Sequence, residues 1–274
     1  MDRRLTPANG RVALEGWQDR VSAERFVPGE PCRLTRPVAD LLAAPGGRRE
    51  RQLVWGEPFT VLERHEGFAF GQSGKDGYVG YIEESALGPA IDATHRVAVL
   101  ASHAYPAPDM KSHEVMGLSF GARLRVVSAS GAFFETAEGY FVPKPHLRPL
   151  KVPFADPVTV AQMHFGVPYL WGGNSSWGID CSGLVQAALL AAGIDCPGDS
   201  DMQQAALGRA LPPGTPPERG DLFFWKGHVA LAVDGATMIH ANAHTMSVAY
   251  EPIADAIARI EEQGDGPVTA HKRL

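Results

Sequence analysis

Cysteine is scarce in this chain, and its three thiols, Cys32, Cys181 and Cys196, lie far apart. That number and spacing exclude a disulfide framework and a four-thiolate zinc site. Long apolar runs are missing too. The longest, Leu184 to Ile194, covers 11 positions and includes Gln186, well short of the roughly 18 residues a membrane span needs. Nor is there an excess of basic charge: 25 Lys and Arg against 31 Asp and Glu give −6, which argues against a phosphate-binding surface. The opening Met1-Asp-Arg-Arg-Leu5-Thr-Pro carries positive charge with no apolar stretch behind it, so no secretory signal is expected. These absences predict no nucleic-acid partner, no membrane partner and a cytoplasmic location. With 45% hydrophobic residues in 274 positions, the chain can bury a core and hold more than one domain.

Glycine and proline, by contrast, are plentiful. Up to about residue 150 they punctuate short apolar segments, the pattern of strands joined by tight turns. Gly56-Glu-Pro-Phe-Thr-Val-Leu62, Gly77-Tyr-Val-Gly-Tyr-Ile82 and Leu87 have counterparts in Gly121-Ala-Arg-Leu-Arg-Val-Val127, Gly139-Tyr-Phe-Val142 and Leu147. The offset of about 62 to 65 residues predicts two degenerate barrel repeats, over 31–90 and 91–150. Residues 1–30 fit neither copy, and Val12 to Arg25 reads either as a short amphipathic helix or as an arm. From 151 to 274 the texture changes. Val158 to Phe165 looks helical behind Asp156-Pro157, and Ser182 to Ala192 is the best helix in the chain, stopped by Gly193. A Gly/Pro-rich loop then leads to strand-like runs at Asp221–Trp225, Val229–Val233 and Met238–Tyr250, the last interrupted by Asn242. Helix first and antiparallel strands afterwards predicts an α+β domain.

The chemistry concentrates in Tyr169-Leu-Trp-Gly-Gly-Asn-Ser-Ser-Trp-Gly-Ile-Asp-Cys-Ser-Gly-Leu184, a glycine-rich aromatic loop that runs into Cys181 at a helix start. There a thiol faces unpaired backbone N–H groups and the positive end of the helix dipole, so its thiolate is favoured. That is what a cysteine nucleophile requires. His228 opens an apolar strand just after a glycine, and His240 follows 12 residues later in Met238-Ile-His240-Ala-Asn242. Twelve residues suit a strand, a turn and a return, so one imidazole can take the thiol proton while the other orients it. A metal alternative rests on His240 and His244, four apart. On a strand they would lie about 13 Å apart, too far to chelate one ion, and no His-Glu-x-x-His sequence is present. Cys32, in a Pro-flanked turn, and Cys196, in a loop, read as bystanders.

Three stretches, Tyr169 to Gly183, Gly220-Asp-Leu-Phe-Phe-Trp-x-x-His228-Val-Ala and Ile239-His240-Ala-Asn, resemble the NlpC family of papain-like cell-wall cysteine peptidases over about residues 153–274. The N-terminal repeats look like bacterial SH3-like domains. The resemblance implies an α+β chain of two small SH3-like β-barrels followed by a papain-like peptidase domain. It further implies Cys181 as nucleophile, His228 as general base and His240 as the orienting third member. The architecture is similar to γ-D-glutamyl-L-diamino-acid endopeptidases, which act on peptidoglycan-derived peptides (L-Ala-γ-D-Glu followed by diaminopimelate or lysine) with a free N-terminal L-Ala. By that similarity Asp180, Ser182 and Ser200 hold substrate, although the family more often has Arg where Gly198 stands. Glu50 and Tyr78 in the first barrel align with the acid and the tyrosine that grip the α-amine, with Glu57 an alternative to Glu50. A buried α-ammonium needs paired negative charge, so such a filter would spare intact peptidoglycan and suit recycling of wall fragments. No cofactor is implied. Rival functions are a non-catalytic peptidoglycan-binding scaffold, which thiol labelling at neutral pH would separate, and an amidase or acyltransferase, which product analysis would separate.

Overall fold

Short β-rich segments between glycines become strands throughout the first 150 residues of the computed structural model, which describes residues 1–274. The chain divides into two units, Met1–Val152 and Pro153–Leu274.

In the first unit, seven strands form one antiparallel sheet in the spatial order Arg49–Val54, Val38–Leu42, Val79–Glu83, Phe68–Ser73, Pro58–His65, Glu30–Leu34 and Leu87–Pro89. Alternation along them turns Leu34, Leu41, Leu53, Phe59 and Ile82 into one buried cluster. Three smaller sheets follow between His95 and Pro149. Their core of Val97, Leu118, Leu124, Val142 and Leu147 also takes in Val54 and Trp55 from the preceding sheet. At that junction Gly56, at φ +74°, lies against the Arg123 carbonyl, where any Cβ would overlap backbone. A single 3₁₀ turn followed by a closing strand ends both modules, at Glu84–Pro89 and again at Lys144–Pro149.

Val12 to Arg25 forms no α-helix; the segment lies as an arm against the seven-stranded sheet. A 3₁₀ turn at Arg3–Leu5 precedes Val12–Leu14, which pairs in parallel with Arg25–Val27. Tertiary burial overrides the amphipathic pattern there: Val12 is packed with Leu62, Phe70 and Val79 of the seven-stranded sheet. Cys32 likewise sits inside the strand Glu30–Leu34 and not in a turn.

The second unit begins with α1 (Pro157–Gln162), capped by Asp156, whose carboxylate accepts from the N–H groups of Val158 and Thr159. Then come α2 (Cys181–Ala191) and α3 (Ser200–Ala206). The strands are β1 (Leu222–Trp225), β2 (His228–Ala232), β3 (Thr237–Asn242) and β4 (Ser247–Pro252), followed by α4 (Ile253–Glu262) and β5 (Ala270–Arg273). Arg209–Ala210, β5, β1, β2, β3 and β4 lie in that order in one antiparallel sheet. The run Met238–Tyr250 is two strands, since the chain reverses after Asn242. Two helices escape a reading by apolar runs: α3 is short and polar, while α4 buries only Ile253, Ala256 and Ile260. These three residues cover one sheet face together with Phe223, Trp225, Ala230, Ala232 and Met238.

Candidate active site

Cys181 is the first residue of α2, and Asp180 is its N-cap. The Asp180 carboxylate accepts from the Gly183 N–H at 2.6 Å, the Ser182 hydroxyl at 3.1 Å and, through its other oxygen, the Gly172 N–H at 3.0 Å. One side chain thus ties the glycine-rich loop to the helix start and holds the thiol at the positive end of the α2 dipole. Gly183 is needed for this closeness, because a Cβ there would strike the Gly173 carbonyl. The Cys181 Sγ lies 3.9 Å from the carbonyl oxygen of Gly227, the residue before His228. The thiol is therefore at the mouth of the strand that carries the first histidine.

Three adjacent strands supply the rest. Leu231 pairs with Ile239 and Ala232 with Met238, so His228 and His240 fall on one face, two residues out of step. His240 pairs with Ala249, which puts Glu251 on the same face, again two residues along. Such diagonal neighbours are within reach of long side chains. The His228 Nε2 is 3.0 Å from the His240 Nδ1, and the His240 Nε2 is 3.0 Å from the Glu251 Oε2. From α4, Arg259 closes the row by donating to both Glu251 oxygens at 2.8 Å. Burial pushes His228 down to about 3 from an ordinary 6.5, helped by nearby His240 and Arg259 and opposed by Glu251. The imidazole is therefore a neutral base at rest. Hydrogen bonds from Arg259 and then His240 hold the Glu251 carboxyl at about 2.

Cys181, His228 and His240 thus come together on α2, β2 and β3. Both ring nitrogens of His240 are engaged by His228 and Glu251, and His244 lies in the turn beyond β3. Ser182 is buried beside Asp180, whereas Ser200 opens α3. A residue the sequence reading passed over links them: Gln203 of α3 donates to the Ser182 and Pro197 carbonyls at 2.9 and 3.0 Å. Glu251, Arg259 and Tyr169 were also passed over. Burial, then the neighbouring charges of Cys181 and Asp180, raises the Tyr169 phenol well above its ordinary range, so it stays a donor close to the thiol. Its signal was its place eleven residues before Asp180 in the aromatic loop; Glu251 and Arg259 carried none. The other cysteines have no such surroundings. Burial, then the charge of Glu30, raises Cys32, and the Cys196 thiol is 3.5 Å from the Pro197 carbonyl.

In the first unit, Glu50 and Tyr78 meet: the phenol donates to the Glu50 Oε2 at 3.1 Å. Arg3 and Arg48 donate to the same carboxylate at 2.8 and 3.0 Å. Burial alone would raise the Glu50 carboxyl, but these donors outweigh it and keep it below its ordinary value. Glu57 is used differently. It is buried, accepting from the Val54 N–H at 3.0 Å and pairing with Lys75 at 3.1 Å. Its carboxylate is spent inside the barrel.

A thiol at the start of a helix, beside strands carrying a histidine pair, is the layout of a papain-like hydrolase. Residues 166–260 match the NlpC/P60 family, and residues 41–87 match the bacterial dipeptidyl-peptidase SH3 domain. The chain thus joins an SH3-like N-terminal domain to an NlpC/P60 domain. It is 28% identical over 243 residues to the γ-D-glutamyl-L-lysine dipeptidyl-peptidase of Bacillus cereus, covering 74% of this chain and 70% of that one. The Bacillus subtilis protein of the same name is also 28% identical, over 66% of each chain. The peptidoglycan endopeptidase RipB of Mycobacterium tuberculosis is 34% identical over 113 residues, 35% of this chain and 46% of that one. In fold, the chain resembles a crystal structure of an NlpC/P60 family protein from Bacillus cereus. That likeness has a TM-score of 0.73 and 21% identity, covering 89% of this chain and 99% of that one.

Proposed function

We propose that this peptidase hydrolyses the γ-D-Glu–diamino acid bond of peptidoglycan stem peptides that begin with a free L-Ala, through an acyl-enzyme on Cys181. The observation that carries the proposal is the histidine pair, 3.0 Å apart, at the strand mouth beside the Cys181 thiol. His228, neutral at rest, takes the thiol proton as sulfur attacks the γ-carbonyl carbon. The Cys181 backbone N–H and the Tyr169 phenol are the donors for the developing oxyanion. Collapse of that intermediate breaks the C–N bond, and the imidazolium returns its proton to the leaving amine. Water, deprotonated by the same imidazole, then splits the thioester and releases the γ-carboxylate of L-Ala-D-Glu.

The names of the Bacillus relatives support the bond and the peptide class. For the amine requirement, support comes from the Glu50–Tyr78 pair, an ionised carboxylate and a phenol that together suit an α-ammonium. Arg3 and Arg48 already occupy that carboxylate, so the incoming ammonium takes the place of one exposed guanidinium. A filter of this kind acts on fragments whose L-Ala is no longer acylated, which fits a cytoplasmic recycling role. Mass spectrometry of digests of L-Ala-γ-D-Glu-L-Lys and L-Ala-γ-D-Glu-diaminopimelate tests the activity, with L-Ala-D-Glu the expected product. Cleavage at another bond, or none, overturns it. Cell fractionation with an antibody to the protein tests the location.

A further inference from the structure

A histidine pair can relay a proton in two directions, and only one of them leaves the nitrogen facing a nucleophile free to accept. Between the His228 Nε2 and the His240 Nδ1, one nitrogen must carry the hydrogen. Nothing in the two rings decides which.

The far end of the row decides it. Glu251, an ionised carboxylate, has only lone pairs to offer. The His240 Nε2, 3.0 Å from it, must therefore be the protonated nitrogen. When the pair holds one N–H on each ring, the His240 Nδ1 is left as an acceptor, and the hydrogen at the 3.0 Å contact belongs to the His228 Nε2. His228 is then unprotonated at Nδ1, the nitrogen that the row leaves unused. We propose that Glu251, clamped by Arg259, is a positioning residue that sets the tautomer of both histidines and makes the Nδ1 of His228 the atom that accepts the Cys181 proton. The proposal rests on Cys181 as nucleophile and deepens that assignment.

Arg259 has a definite part. Its two donors to Glu251 at 2.8 Å keep the carboxylate ionised and stop it from turning away from His240. Because Glu251 is the penultimate residue of β4 and Arg259 lies on α4, which begins at Ile253, the clamp is as rigid as the packing of that helix through Ile253, Ala256 and Ile260. When His228 takes the thiol proton, the added charge is shared along His240 toward an anion already in place.

Nitrogen-15 NMR of the imidazoles in the full chain tests this without substrate, with His228→Gln and His240→Gln assigning the signals. In the unsubstituted protein both rings are expected as the Nε2–H tautomer. Glu251→Ala should give His228 an Nδ1–H population and lower kcat roughly 10- to 100-fold, by analogy with the loss when the outer-shell partner of a metal-bound histidine is removed. Its KM should stay within about twofold, since no substrate contact is lost. Glu251→Asp, which keeps the carboxylate, should retain the Nε2–H tautomer and lose less than about tenfold. Retention of kcat in a folded Glu251→Ala protein, or of its His228 Nε2–H tautomer, overturns the proposal. If Glu251→Ala does not fold, Glu251→Asp decides alone: a switched tautomer or a loss beyond tenfold overturns the proposal. Activity in Cys181→Ala would instead show that the nucleophile is wrong, while the NMR outcome would stand.

Discussion

Two carboxylates of this protein are held in their ionised form by arginines, yet they are built for opposite ends. Glu251 is clamped by Arg259, and each side chain is only 18% exposed. Nothing diffusing in solution can readily replace either partner. Glu50 is itself 6% exposed, but its arginines, Arg3 and Arg48, are 58% and 74% exposed. Ion pairs of exposed arginines are worth about 0–1 kcal/mol, so they can be exchanged for a ligand cation at little cost. A locked carboxylate suits a fixed orienting charge, whereas an exchangeable one suits the proposed receptor for an ammonium. Glu57, paired with a buried Lys75, belongs with the first kind although it lies near Glu50 in sequence.

The largest expected effect tests whether the locked row has anything to act on. Cys181→Ala should abolish hydrolysis while leaving the melting curve unchanged, because the covalent route is lost. Cys32→Ala and Cys196→Ala should retain most activity in the same peptide assay. Equal losses in all three would make the thiols structural and leave the row without a nucleophile. Next in size are the histidines. His228→Ala should cost nearly as much as Cys181→Ala, whereas His240→Gln should keep measurable turnover, since an amide can still accept the imidazole N–H. Steady-state rates on the free-amine tripeptide separate the two.

The exchangeable carboxylate should give a smaller effect. Because Arg3 and Arg48 already neutralise Glu50, N-acetylation of the L-Ala removes one charged hydrogen bond without stranding a buried anion. A loss of about 1.5–3 kcal/mol is expected, roughly ten- to 150-fold in kcat/KM. Glu50→Gln should narrow that ratio by slowing only the free-amine peptide. Glu57→Gln should instead lower the melting temperature, since it leaves Lys75 unpaired inside the barrel, and should leave the ratio alone. If Glu57→Gln shifts selectivity and Glu50→Gln does not, the two carboxylates have been assigned the wrong way round.

The last expected effect is read on stability against pH and not on rate. His228 falls to about 3 in the fold from 6.5, so its neutral burial contributes fully above pH 6.5. That contribution is lost progressively as the pH drops toward 3. Glu251, lowered from 4.5 to about 2, contributes fully above 4.5 and is lost below it. Melting temperature should therefore be level above about pH 6.5, decline below it, and decline further below 4.5. His228→Gln should reduce the slope of the first stretch, to which the buried His164 also contributes, and leave the second unchanged, as calorimetry would show.

What the amino-acid order determined by itself was local. Cys181 at a helix start, capped by Asp180, follows from a glycine-rich loop running into an apolar, alanine-rich segment. His228 and His240 meet because 12 residues make a strand, a turn and a return. Both facts depend on neighbours in sequence, and chain stereochemistry enforces them. The strand-and-turn texture of the first 150 residues was legible for the same reason, as turn glycines punctuate it. Tertiary structure alone decided the rest. Residues 12–14 became a strand because the sheet over 30–89 offered Val12 a buried site. Glu50 was distinguished from Glu57 by which cations reached each one. Glu251 joined the histidines through the register of a third strand, and Arg259 through the helix that starts directly after that strand. Cross-strand register and helix packing bring distant residues together by burial energy summed over many side chains, and no single motif carries that sum.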